Sequence, residues 1–107
     1  MADYTRESVE ASKKATELDP SLVLAWANLG AGYGRLGKHQ KAVEALQKAL
    51  EMDPSLVLSW YHLACSYGSL GNHERAIEIF RKVLSVSDNP DLTRLTQDGL
   101  KSLGADV

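Results

Sequence analysis

The chain has 107 residues, of which 44 % are hydrophobic and 24 % are charged, and its formal net charge is −2. This composition is typical of one small folded domain and argues against a disordered chain, a nucleic-acid-binding surface and a surface for anionic membranes. The single cysteine, Cys65, excludes an internal disulfide and a cysteine-only metal cage, and no apolar run approaches the ~18 residues of a membrane span. We therefore expect a cytoplasmic domain with no membrane insertion.

Apolar side chains recur three and four residues apart along most of the chain, which is the spacing of helices with one buried face. The pattern predicts helices at about 6–18, 22–35, 39–52, 56–69, 73–86 and 91–103. Asp19-Pro20 and Asp53-Pro54 are interpreted as an N-capping acid followed by a first-turn proline, and Gly37 as a helix end with positive φ.

Two consecutive segments of the chain, 21–54 and 55–88, align without gaps and are identical at 15 of 34 positions. Segment 8–20 matches the end of that unit at 8 of 13 positions, whereas the residues before Ser8 do not match. The sequence therefore predicts a single domain over 1–107, with a half repeat at 8–20, full repeats at 21–54 and 55–88, and a capping helix at 89–104.

A 34-residue period that carries Trp26-x2-Leu29-Gly30-x2-Tyr33 and ends in Pro54 resembles the tetratricopeptide repeat (TPR). The second copy departs from the pattern at Ala64, Val83 and Asp88, and the last change delays the proline to Pro90. The resemblance implies an all-α, right-handed α-solenoid of helix-turn-helix repeats.

The two ends of the chain are expected to differ from the repeats between them. Ser12 and Thr16 stand where the later copies carry large apolar residues, so the first helix is predicted to be a solvating cap with a polar face. The alternative is that this face is left for another chain. In the last helix, the pattern predicts one apolar face made of Leu92, Leu95, Gly99 and Leu103, with Leu100 beside it.

The resemblance implies a concave groove lined by the first helix of each repeat, which holds an extended peptide or a helix. The groove positions differ most between the two copies: Ala27 becomes Tyr61, for example. The predicted peptide-binding residues are Leu24, Ala27, Asn28, Ala31, Arg35, Leu58, Tyr61, His62, Cys65 and Ser69.

The chemistry of these side chains favours a partner that is an apolar peptide or an amphipathic helix, with Tyr61 as its main anchor. One class of TPR domains grips a carboxylate with Lys, Asn and Arg side chains. Asn28 matches that pattern, but Leu58 and His62 stand where basic residues are required. A chaperone-tail clamp is therefore disfavoured.

Other chemistry is weakly supported by the sequence. His62 and Cys65 lie one helical turn apart, but two ligands are too few for a metal site, and Cys65 has no activating partner. His39 and His73 occupy equivalent positions after the glycine turns and are predicted to be solvated. We expect a non-enzymatic protein-interaction scaffold without cofactor, metal or nucleic acid; the alternative is self-association, such as a homodimer, through the first helix or the groove.

Overall fold

The computed structural model describes residues 3–105, and that part of the chain folds into six α-helices with no strand. The helices are α1 (Thr5–Leu18), α2 (Val23–Arg35), α3 (His39–Met52), α4 (Val57–Ser69), α5 (His73–Val86) and α6 (Pro90–Ser102). Each lies within one residue of its predicted bounds, because the 3.6-residue period of the apolar side chains fixes where a helix can bury a face.

The helices form two layers. In the inner layer, α2 contacts α4 and α4 contacts α6, whereas the outer helices α1, α3 and α5 contact the inner helices but not one another. Helices of the same layer contact one another only in the inner layer. The stack therefore curves, and α2, α4 and α6 lie on its concave side. This is the expected right-handed α-solenoid, with extents of 42 × 30 × 25 Å.

The core lies between the two layers and is built mainly by positions that repeat every 34 residues. Leu46 and Phe80 occupy the same place in α3 and α5 and are almost fully buried. A Cβ added to Gly30 would lie 2.5 Å from Cγ of Leu46, so this glycine permits a close approach of α2 and α3. Gly30 therefore lies directly against the Leu46 side chain.

The capping predicted for the N-terminal ends of the inner helices was wrong. Asp19 is the C-cap of α1, and Pro20 precedes α2 instead of starting it. The Asp19 carboxylate accepts hydrogen bonds from the backbone N–H and the hydroxyl of Ser21, which closes a local turn. The Trp26 indole N–H donates to the Pro20 carbonyl at 2.9 Å, and Trp60 binds Pro54 in the same way. In both repeats, the hydrogen bond of the tryptophan thus links the turn to the helix that follows.

The glycine turns follow the prediction. Gly37 has φ +77° and Gly71 has φ +86°. After α2, the Lys38 N–H donates to the carbonyl of Tyr33, and Gly37 N–H donates to Gly34, which is the Schellman arrangement. The outer helix of each repeat therefore begins at a fixed angle to the inner helix.

The ends of the stack differ from the predicted pattern in two places. Thr16 is 4 % exposed, so it lies in the packing between α1 and α2 and is not part of a solvated face. In α6, Leu95 is 48 % exposed, and the buried face consists of Leu92, Thr96 and Leu100. The 34-residue period places Leu95 at the position of Tyr61 and Ala27, which are not part of the buried faces of α4 and α2.

Candidate functional site

The inner surface of α2 and α4 is the candidate site, and its position follows from how each helix is used. One face of α2 is buried through Leu29, Gly30 and Tyr33. The opposite face cannot pack against the outer layer, so its side chains are half-buried or exposed. We call the concave surface formed by the ten predicted residues of α2 and α4 the inner groove.

Five of those ten residues surround one small cavity between the C-terminal halves of α2 and α4. The cavity has a volume of about 170 Å³. The predicted residues that line it are Ala31, Arg35, His62, Cys65 and Ser69. The 34-residue spacing places the two helices side by side, which is why residues far apart in sequence meet here.

The other predicted residues lie apart from this cavity. Leu24 and Asn28 line a separate cleft of about 540 Å³ between α1 and α2, together with Ser12 and Ala15. Leu24 and Leu58 are 66 % and 56 % exposed, so both offer apolar surface to a partner. Ala27 is half-buried on the same helix.

Tyr61 is shared between the groove and the core. Its ring lies 5.8 Å from that of Phe80 and 5.6 Å from that of His62, measured between centroids. Burial raises the pKa of Tyr61 to about 12, and the neighbouring Cys65 adds to this rise. Tyr61 is therefore a partly fixed aromatic wall of the groove rather than a side chain that is free in solvent.

The two polar side chains beside Tyr61 are both held in their neutral forms. Burial lowers the pKa of the His62 imidazole, and the positive charge of Arg35 lowers it further. Burial raises the pKa of the Cys65 thiol, so the reactive thiolate is disfavoured. Within residues 3–105, no group of three or more His, Cys, Asp or Glu side chains is arranged to hold a metal ion.

One residue that lines the cavity was not predicted from the sequence. His39 lines the cavity, and its Nδ1 atom is buried without a hydrogen-bond partner, whereas His73 is exposed as predicted. The two histidines have the same place in the repeat. No sequence signal separates them, because the difference arises from what packs beside each turn.

The last inner helix also reaches the site. α6 contacts α4, and the negative charge of Asp98 contributes to the raised pKa of Tyr61. Asp98 is exposed on α6, and the predicted groove residues came from α2 and α4 only. None of the helices within residues 3–105 is both long and apolar enough to cross a membrane.

Comparison with known proteins agrees with this architecture. Two family models, each described as tetratricopeptide repeat, match residues 23–56 and 57–90. No curated protein sequence matches the chain significantly.

Several solved structures share the fold. The first TPR of Spaghetti (RPAP3), bound to the HSP90 peptide SRMEEVD, superposes with a TM-score of 0.80 at 20 % identity and covers 94 % of this chain and 81 % of that one. MamA gives a TM-score of 0.75 at 28 % identity, covering 92 % of this chain but only 60 % of that protein. The N-terminal domain of stress-induced protein-1 from C. elegans gives 0.69 at 22 % identity, covering 82 % and 75 %.

The repeat period, the layered helices and the two family matches lead to one conclusion: the chain belongs to the tetratricopeptide repeat family, whose stacked helices form protein-interaction scaffolds.

Proposed function

We propose that this domain is a non-enzymatic interaction module that holds an apolar peptide or an amphipathic helix of a partner protein in the inner groove. One observation carries the proposal. Four of the five pairs of equivalent groove positions carry different side chains in the two repeats, and several of these side chains, among them Ala31 and Cys65, meet around one cavity. A surface that varies on a constant scaffold is what selective binding requires.

The chemistry of the groove supports an apolar partner with a few polar groups. Leu24 and Leu58 offer exposed apolar surface, and Tyr61 offers a partly fixed aromatic ring, which loses little conformational entropy on binding. Peptide binding by the related Spaghetti repeat supports a peptide partner here as well. The partner is expected to differ, because Leu58 and His62 supply no fixed positive charge for a terminal carboxylate.

The test uses substitutions at exposed groove positions, so that folding is preserved. Asn28→Arg and Leu58→Arg each place a charged side chain in the groove, and Gln40→Arg places the same charge on the exposed side of α3. Proteins captured from source cells by the wild-type chain are identified by mass spectrometry, and the main partner is then titrated calorimetrically against all four proteins.

We expect the two groove variants to lose the partner and Gln40→Arg to retain it. Circular dichroism establishes that all four chains are folded. Equal affinity for the four proteins would contradict binding in the groove. The setting proposed for this interaction is the cytoplasm, because the chain has one cysteine and no disulfide.

Self-association is the second candidate, and the cleft between α1 and α2 favours it. Ala11 and Ala15 are more exposed than Ala45 and Ala49, which have the same places in α3, because α3 packs against two inner helices, α2 and α4, whereas α1 packs against α2 alone within the described residues. Light scattering over a range of concentrations tests this candidate. A mass that rises with concentration would support it, and a constant monomer mass would exclude it.

A further inference from the structure

The outer layer contains a crevice that the interaction in the inner groove does not use. It lies between α1 and α3, and its floor is formed by Trp26, Leu29 and Tyr33 of α2. Its volume is about 630 Å³, and a smaller extension of about 330 Å³ continues it past Tyr33 toward the start of α1. The crevice exists because α1 and α3 both pack on α2 without touching each other. We call it the first outer crevice.

The next repeat contains the equivalent crevice, and there it is smaller. This second outer crevice lies over Trp60 and has a volume of about 370 Å³. Leu50 occupies the place of Thr16, and Lys82 lies over the Trp60 indole, with Nζ 3.9 Å from the ring centroid. Among the described residues, no cationic group lies over the Trp26 indole in this way.

The two crevices also differ in polar contacts along their walls. In the second, the Gln47 side chain donates a hydrogen bond to the Tyr67 hydroxyl at 3.0 Å, and Arg75 pairs with Glu78. In the first, Lys13 takes the place of Gln47. Both crevices have a cationic side chain over the floor tyrosine, Lys41 over Tyr33 and Arg75 over Tyr67, but only the second has the hydrogen bond from Gln47 to Tyr67 among the described residues.

The charge of the first outer crevice is opposite in sign to that of the whole chain. Five basic and three acidic side chains line it and its extension, although the chain as a whole has a net charge of −2. None of the five basic groups lies within 4.0 Å of a carboxylate in the part of the chain that the structure describes. The basic residues are Arg6, Lys13, Lys38, Lys41 and Lys48.

We propose that the first outer crevice binds an acidic segment of a partner protein that carries an aromatic or large apolar side chain. The apolar side chain lies on the floor formed by Trp26 and Tyr33. Carboxylates of the segment pair with Lys13, Lys41 and Lys48 at the rim. The volume matches that of small-ligand sites, and the positive rim favours an acidic segment over a basic one. Because this crevice faces away from the inner groove, the domain binds two segments at once.

The test titrates the intact chain with a capped peptide in which one phenylalanine stands between runs of glutamate. Capping removes the terminal charges, so only side chains are tested. Calorimetry gives the affinity, and Trp26 fluorescence in a Trp60→Phe variant locates the peptide. We expect saturable binding that weakens as salt is added, because the attracting charges are exposed.

The second crevice provides matched variants. Thr16→Leu copies Leu50, which lines the smaller crevice, and is expected to narrow the first one; Lys13→Gln copies Gln47 and removes one charge. We expect Thr16→Leu to weaken binding at least about tenfold, because the apolar side chain loses its place. We expect Lys13→Gln to weaken it about two- to fivefold, as for one exposed ion pair. Asn28→Arg, in the inner groove, leaves the affinity unchanged.

The proposal would be overturned if the capped peptide did not bind the folded wild-type chain, or if Thr16→Leu bound it with full affinity. It would also be overturned if a peptide with lysine in place of glutamate, or a glutamate peptide without phenylalanine, bound equally well. A loss of binding in Asn28→Arg would also overturn it, because it would place the peptide in the inner groove. Retained binding in that variant together with loss in Thr16→Leu supports the outer crevice and does not depend on the function proposed for the groove.

Discussion

The two outer crevices of this domain have the same scaffold and different contents. Trp26 and Trp60 make the same hydrogen bond to a proline carbonyl, yet the crevice over Trp26 has about 630 Å³ and that over Trp60 about 370 Å³, and Lys82 lies over the Trp60 indole. The comparison teaches that two copies of a repeat can keep the same turn contacts while the side chains that border a crevice differ. Lys13 and Thr16 border the first crevice, and Gln47 and Leu50 take their places in the second.

The largest expected effect tests the scaffold positions. Phe80→Ala is expected to lower the free energy of unfolding by about 3–5 kcal/mol, because Phe80 is 3 % exposed and lies against both Tyr61 and Gly99. Ser12→Ala, at the equivalent position of α1, should change it by less than about 0.5 kcal/mol. Urea denaturation measures both. Similar losses in the two variants would mean that the end of the stack is packed as tightly as its centre.

A smaller effect is expected where α6 closes on α5. A Cβ added to Gly99 would lie 2.7 Å from Cζ of Phe80, so Gly99→Ala should destabilise the fold by about 1–3 kcal/mol. Gly68→Ala is the matched control, since its nearest contacts are at 3.8 Å. Because alanine has a greater helix propensity than glycine, Gly68→Ala should stabilise the fold by up to about 1 kcal/mol. Thermal unfolding of the two variants should thus shift in opposite directions, and a shift in the same direction would contradict this packing.

The polar contact of the second outer crevice gives a third prediction. Tyr67→Phe removes the hydrogen bond from Gln47 and should cost about 0.5–1 kcal/mol. Tyr33→Phe, in the first outer crevice, removes no such bond and should be nearly neutral. Paired denaturation curves measure the difference. Equal costs would mean that the two crevices are bonded alike.

The last effect appears only at high pH and concerns Tyr61, which has alanine as its counterpart in the first repeat. The pKa of Tyr61 is raised from 10.0 to about 12, so the folded state retains the phenolic proton more strongly than the unfolded state. Its contribution to stability is complete below pH 10 and is lost as the pH rises toward 12. Comparing the stability of the wild-type chain with that of Tyr61→Phe across this range isolates the effect, and parallel curves would contradict it.

The candidate site was only partly predictable. Five groove residues that the sequence proposed surround one cavity, because equal spacing in sequence places equivalent side chains next to one another. His39 was predicted to be solvated and is instead part of that cavity, with a buried nitrogen. Tyr61 was predicted as an anchor; its contact with Phe80 was not predictable, because it depends on the angle at which α5 approaches.

The sequence by itself determined the six helices, the glycine turns and the repeat, because helix period, positive φ and internal identity are local properties of the chain. Tertiary structure alone decided the rest. It buried Thr16 and exposed Leu95, because both depend on how α1 and α6 pack against their neighbouring helices. The volumes of the two outer crevices belong to the same class, because each crevice is bordered by side chains from three helices.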